Sequence, residues 1–63
     1  MDQDYIVQGC YSDSRVAIET GSDFEAIAVA KAAAILKALW FDGDYTRVIT
    51  RDGELVWDSR TVD

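Results

Sequence analysis

Residues Ser22 to Trp40 read SDFEAIAVAKAAAILKALW and form the longest periodic segment of the chain. Its apolar residues recur at helical spacing and form a wide apolar stripe, and alanine, the best helix former, fills much of it. The first four residues fit the capping-box pattern S-x-x-E, in which the Ser22 hydroxyl and the Glu25 carboxylate satisfy backbone N–H groups. The sequence therefore predicts a helix over residues 23–40, and the Phe41-Asp42-Gly43-Asp44 loop would end it.

At about 100° per residue, the predicted helix has two different apolar sides. The broad side, which we expect to pack on a sheet, carries Phe24, Ala28, Val29, Ala32, Ile35, Leu36 and Leu39. The opposite side holds Lys31 and Lys37, as a solvent-facing side should. Between them runs an alanine ridge, spaced four residues apart with one isoleucine beside it, made of Ala26, Ala30, Ala34, Ala38 and Ile27.

The alanine ridge has two interpretations. High helix propensity alone explains alanines on an exposed helix. Alternatively, small side chains allow two helices to approach closely and pack along rows spaced four residues apart. A chain of 63 residues buries only a small core, and its single cysteine and lack of histidine exclude an internal disulfide and any zinc site that needs histidine. These features favour a homodimer through the ridge, so the ridge is the first candidate interface.

The segment before the helix predicts a β-hairpin with strands over 4–11 and 15–20. Asp13-Ser14 would form a two-residue turn, placing Tyr11 opposite Val16 and Gly9 opposite Ile18. The same register puts Gln8 beside Glu19 on the other face, and Gly21 would end the second strand.

The segment after the helix predicts a second hairpin with strands over 45–51 and 54–59. Asp52-Gly53 is a strong signal for a type I′ turn, which needs positive φ at both positions. The register that follows pairs Arg51 with Glu54, Thr50 with Leu55, Ile49 with Val56, Val48 with Trp57 and Arg47 with Asp58. One face would carry Val48, Thr50, Leu55 and Trp57 towards the core.

The order β-β-α-β-β predicts a single small α+β domain over residues 1–63, a two-layer sandwich. Its sheet would have four mostly antiparallel strands with one helix packed on one face, and residues 60–63 would be a loose tail. The face turned away from the helix is a second candidate interface, with Tyr45 as its exposed aromatic. It comprises Ile6, Cys10, Tyr45, Ile49 and Val56.

The sequence carries no pattern that supports catalysis, a metal site or a cofactor. Without histidine, Ser/His and Cys/His pairings are excluded, and a lone strand cysteine such as Cys10 is more often a packing residue than a nucleophile. Asp42-Gly43-Asp44 followed by Thr46 begins like a calcium loop. The required glycine and glutamate are missing further on, where Arg47 and Gly53 stand.

The net charge of −6 argues against direct contact with nucleic acid phosphates or with an anionic membrane surface. The acidic start MDQD has no apolar segment typical of a secretory signal, so we expect a cytoplasmic protein. Two functions remain. One is a non-catalytic protein-interaction module, homodimeric. The other is an acidic nucleic-acid mimic, of the kind phages and mobile elements use, that inhibits a DNA-handling enzyme.

Overall fold

The computed structural model describes residues 4–61, and within them the chain forms four strands and one helix. The elements are β1 (Tyr5–Cys10), β2 (Val16–Ser22), α1 (Glu25–Lys37), β3 (Tyr45–Thr50) and β4 (Leu55–Asp58). The strands form one antiparallel sheet in the order β2-β1-β3-β4, and α1 packs on one face of it, mainly over β1 and β3. The predicted α+β two-layer fold is confirmed.

The core lies where α1 crosses the two central strands. Val7 of β1 and Val48 of β3 are fully buried beneath Ala28, Ala32 and Ile35. Burying each valine side chain stabilises the fold by roughly 1.5–3 kcal/mol. The alanines let the helix approach closely, so that the buried Thr46 Oγ1 donates a 3.0 Å hydrogen bond to the helix carbonyl of Ala32.

The helix begins later than the sequence indicated. Ser22 is the last residue of β2 and lies opposite Tyr5, and Gly21 continues the strand instead of ending it. The Ser22 hydroxyl donates to the Phe24 carbonyl over 3.3 Å and accepts from the Phe24 N–H over 3.4 Å, and Phe24, not Ser22, is the N-cap, with no side-chain cap hydrogen bond. The predicted capping box is therefore wrong, because pairing with β1 keeps Ser22 in the sheet.

The helix also ends earlier, at Lys37, where the Ala38 N–H donates to the Ile35 carbonyl over 3.1 Å. On the predicted sheet side Val29 is half-buried, but Phe24, Leu36 and Leu39 are exposed, so their assignment to the core is wrong. Phe24 precedes the first helical residue and Leu39 follows the last. The helical periodicity that placed both against the sheet does not extend to them.

The first hairpin closes with a three-residue turn, not the predicted two-residue turn. The Tyr11 N–H donates to the Arg15 carbonyl, and the Ser14 N–H donates to the Tyr11 carbonyl, both over 2.9 Å. Ser14 has φ +73°, a left-handed conformation that relatively few non-glycine residues adopt. Further along, Gly9 lies opposite Ile18 and Gln8 opposite Glu19, as predicted. A register shift in between places Val16 opposite Cys10 and not opposite Tyr11.

The second hairpin has the same three-residue turn. The Thr50 N–H donates to the Glu54 carbonyl over 2.8 Å, and the Gly53 N–H donates to the Thr50 carbonyl over 2.9 Å. Gly53 alone in this turn has positive φ, +90°, which fits a type I turn followed by a left-handed glycine. The predicted type I′ turn is wrong, and Arg51 lies in the turn instead of opposite Glu54.

A bulge in the second hairpin changes which side chains of β4 face the core. Arg47 lies opposite Asp58 and Val48 opposite Trp57, as predicted, but Ile49 lies opposite Leu55. Val56 is the extra residue. It packs against the core, whereas Leu55 is 56% exposed, so the predicted faces of these two neighbours are reversed.

Candidate interaction surfaces

The first candidate surface is the side of α1 that faces away from the sheet. Of the 13 residues of α1 only Glu25, Lys31 and Lys37 are charged, and the sheet buries just three of the apolar ones. The ammonium group of Lys31 is directed towards β2, because its Nζ donates a 2.9 Å hydrogen bond to the Gly21 carbonyl. A helix that is apolar on nearly all sides is usually buried on all sides.

The exposed residues of the first candidate interface form the outer helix surface, which we define as Ala26, Ile27, Ala30 and Ala34. Ile27 is 48% exposed, whereas Ala38, the last member of the predicted ridge, is partly buried and outside the helix. Large apolar side chains are also exposed at both ends of the helix. They are Phe24 at 65%, Leu36 at 40%, Leu39 at 104% and Trp40 at 64%.

Phe41 holds the segment after the helix on the sheet. Its ring packs so closely on Gly9 that a Cβ at that position would lie 2.6 Å from Phe41 Cε1, and it also lies against Gly43. Trp40 meets the same ring edge-to-face, with centroids 6.3 Å apart. Phe41 thus fills the space above the glycines, and its neighbours Leu39 and Trp40 are left outside.

The acidic loop that resembles the start of a calcium site has structural hydrogen bonds instead. Asp42 Oδ1 accepts from the Tyr11 hydroxyl over 3.1 Å, and this hydrogen bond raises the pKa of Tyr11. Asp44 Oδ2 accepts from the Ser12 N–H over 2.6 Å. Both carboxylates therefore tie the loop to the first hairpin turn. Between residues 4 and 61 no three His, Cys, Asp or Glu side chains come together as possible metal ligands.

The second candidate interface is mostly covered. Tyr45, predicted to be the exposed aromatic, is only 1% exposed, and Cys10 is fully buried. Ile6 and Ile49 are half-buried, and Val56 packs against the core on the helix side. The prediction that these five residues all point away from the helix is wrong for Val56. Tyr45 and Cys10 are buried, so their side chains present no accessible surface to a partner.

A row of polar side chains divides the outer sheet face. Gln8 Nε2 donates to Glu19 Oε2 and Arg47 Nε donates to Gln8 Oε1, each over 2.8 Å. Asp58 lies opposite Arg47 in the next strand. The row crosses all four strands and separates the half-buried isoleucines from Cys10 and Tyr45. This face therefore lacks a continuous apolar patch in the part of the chain described.

Residues 58–61 fold back over the end of the outer face. Asp58 Oδ1 accepts from the Arg60 N–H over 2.8 Å, and Asp58 Oδ2 accepts from Arg60 Nη2 over 2.9 Å. The guanidinium carbon of Arg60 lies 3.6 Å from the centre of the Tyr45 ring. The hydrogen bond from Arg60 lowers the pKa of Asp58, although burial acts against it.

In the predicted loose tail, Arg60 thus makes these contacts and the Thr61 N–H donates to the Asp58 carbonyl, whereas Val62 and Asp63 lie outside the described residues. Sequence reasoning missed this contact because it needs the tail to return to β3. One signal was present. The tripeptide Asp-Ser-Arg occurs both at 13–15 and at 58–60, and at 13–15 too the Arg15 N–H donates to Asp13 Oδ1.

No protein-family model, curated protein or solved structure matches the chain. No helix in residues 4–61 is long and apolar enough to cross a membrane.

Proposed function

We propose that the chain is a non-catalytic protein-interaction module that forms a homodimer through the outer helix surface. The observation that carries this proposal is the exposure of the helix segment. Five large apolar side chains between Phe24 and Trp40 are at least 40% exposed in the described structure. Exposed apolar side chains concentrated in one segment are typical of an interaction surface, and here Ile27 lies on the outer helix surface while the other four lie at the two ends of the helix.

The shape of the outer helix surface suits a second helix. Ala26, Ala30 and Ala34 have short side chains, so a partner helix can approach the backbone closely. Ile27 beside them supplies apolar area. The adjoining charges are few, and Lys31 is directed to β2 by its bond with Gly21. A partner with the same surface satisfies these conditions without any charge complementarity.

A second copy of the chain is the simplest such partner. Two-fold pairing buries the same patch on both subunits, and closed dimers are the commonest oligomers. The small core gives a further reason, because chains of this size commonly gain stability by association. An exposed apolar helix and a small core therefore both favour a second copy as the partner.

Nucleic-acid mimicry is supported less well. A mimic needs carboxylates displayed as a free array, but several here are engaged locally. Asp42 accepts from Tyr11, Asp44 from Ser12 and Glu19 from Gln8. No observation in residues 4–61 favours the mimic over the interaction module.

Substitutions on the outer helix surface test the proposal. Ala30→Glu and Ala34→Glu each place a charge at the centre of the proposed interface, and we expect both to yield folded monomers by light scattering and circular dichroism. Ala17→Glu is the matched control, because it makes the same change at an exposed alanine of β2 and should leave the dimer intact. If both helix variants remain dimeric, the interface lies elsewhere.

A further inference from the structure

We propose that residues 58–61 form a latch that opens without unfolding of the domain and controls access to Cys10 and Tyr45. This inference does not depend on the homodimer, because the latch lies on the opposite side of the sheet from α1. It concerns the end of the outer sheet face. There the one thiol of the chain is fully buried although, among residues 4–61, no helix or further strand packs on that face.

The latch is positioned by the strand ladder. Cys10 and Tyr45 are direct partners in the β1–β3 pair. Ser59 extends the β3–β4 pair by one step, because its N–H donates to the Thr46 carbonyl and its Oγ accepts from the Thr46 N–H, both over 2.9 Å. The chain then turns, and the Thr61 N–H donates to the Asp58 carbonyl over 3.0 Å. This turn brings the next side chain, that of Arg60, over the Tyr45 ring.

Arg60 is the cover. Its guanidinium lies 3.6 Å from the Tyr45 ring centre, and its outer surface is in solvent, with 57% of the side chain exposed. The hydrogen bond to Asp58 is the main cause of the raised pKa of Arg60, and Tyr45 and Cys10 make smaller contributions in the same direction. One exposed side chain, held by one carboxylate, therefore lies over the ring of Tyr45, the direct strand partner of the buried Cys10.

The closed latch is held by few contacts. Opening at residues 60 and 61 breaks the Arg60 contacts with Asp58 and Tyr45 and the turn hydrogen bond of Thr61, but it leaves the Ser59–Thr46 hydrogen bonds and the core between α1 and the sheet intact. Segments with few buried apolar contacts open at lower free energy than the whole domain. In addition, the buried Tyr45 hydroxyl has no hydrogen-bond partner among residues 4–61, which destabilises the closed state. Opening returns this hydroxyl to water.

The reactivity of Cys10 measures the opening directly. In the intact chain the thiol should react with 5,5′-dithiobis(2-nitrobenzoate) through local opening, so its rate should stay nearly constant at low urea concentrations. A rate that rises with urea as steeply as the global unfolding equilibrium would overturn the proposal, because it would show that only the unfolded chain reacts.

Substitutions at the latch provide the second arm. Arg60→Ala removes both the hydrogen bonds to Asp58 and the cation stacked on the Tyr45 ring. It should therefore raise the rate of Cys10 labelling by roughly tenfold or more. Arg15→Ala is the matched control. Arg15 also follows an aspartate by two residues and lies over a tyrosine, at 5.0 Å from the Tyr11 ring, but it covers no thiol. Equal labelling rates for Arg60→Ala and Arg15→Ala in folded protein would contradict the latch.

Discussion

The tripeptide Asp-Ser-Arg occurs twice in the chain, in the first hairpin turn and after β4, and the two copies make the same local contacts. In each, the arginine N–H donates to the aspartate Oδ1, over 3.1 Å in the first copy and 2.8 Å in the second. In each, the guanidinium pairs with the same aspartate, at 2.7 and 2.9 Å, and lies over a tyrosine ring, at 5.0 and 3.6 Å.

The two copies differ in their surroundings. The side chain of Asp13 is 56% exposed, whereas that of Asp58 is 8% exposed. Tyr45 beneath the second arginine is buried, and Tyr11 beneath the first is only half-buried. Local sequence therefore determines the hydrogen-bond pattern, and the position in the sheet determines how much that pattern contributes. An exposed ion pair contributes little, whereas a buried carboxylate depends on its partner.

Replacing the aspartate of each tripeptide in turn should give the largest difference in unfolding free energy between the two copies. Asp58→Ala should lower the free energy of unfolding by about 1.5 kcal/mol, near the lower limit for hydrogen bonds to charged groups because Arg60 remains half exposed. Asp13→Ala should lower it by less than about 0.5 kcal/mol, as for other exposed pairs. Urea unfolding of the two variants measures both values. Equal losses of unfolding free energy in the two variants would show that the burial of Asp58 does not strengthen its contribution.

The central serines should respond to the same substitution with opposite signs. Ser59 Oγ accepts from the N–H of the buried Thr46, so Ser59→Gly should destabilise by about 1 kcal/mol. Ser14 has φ +73°, which glycine adopts without a steric penalty, so Ser14→Gly should stabilise by about 0.5 kcal/mol. Thermal and urea unfolding measure both changes. A gain from both substitutions would contradict the role given to Ser59.

The pH dependence of the unfolding free energy should show the contribution of Asp58, the aspartate of the second tripeptide. The hydrogen bond from Arg60 lowers the pKa of Asp58 below its usual value of 3.8. A lowered folded-state pKa contributes stability that is complete above the unfolded pKa and is lost as the pH falls through the folded pKa. Between pH 6 and pH 3 the wild-type chain should therefore lose more unfolding free energy than Asp58→Asn. Parallel curves would show that Asp58 contributes nothing to acid sensitivity.

The sequence predicted the order of elements and much of the strand register, because alternation of side chains and turn residues are local signals. Gly9 opposite Ile18 and Val48 opposite Trp57 follow from them. The turn lengths were wrong because one left-handed residue, Ser14 or Gly53, after a type I turn replaces the two-residue turn. The resulting shifts reverse the faces of neighbouring residues, as at Leu55.

The candidate surfaces were only partly predictable. The outer helix surface follows from helical periodicity, and Ala30 and Ala34 are exposed where that periodicity placed them. The burial of Tyr45 could not be read from its strand, because its cover is Arg60, which lies 15 residues further along and returns through a turn. Contacts between a tail and a strand depend on tertiary geometry that no local pattern encodes.

The central claim is that a second copy covers the exposed side of α1. Sedimentation equilibrium of the wild-type chain over a wide concentration range tests it most directly, because an interface of standard size buries roughly 800 Å² on each partner and holds at micromolar concentrations or below. We expect the mass to approach twice the 7.0 kDa of one chain. A mass that stays at 7.0 kDa into the high micromolar range would contradict the claim.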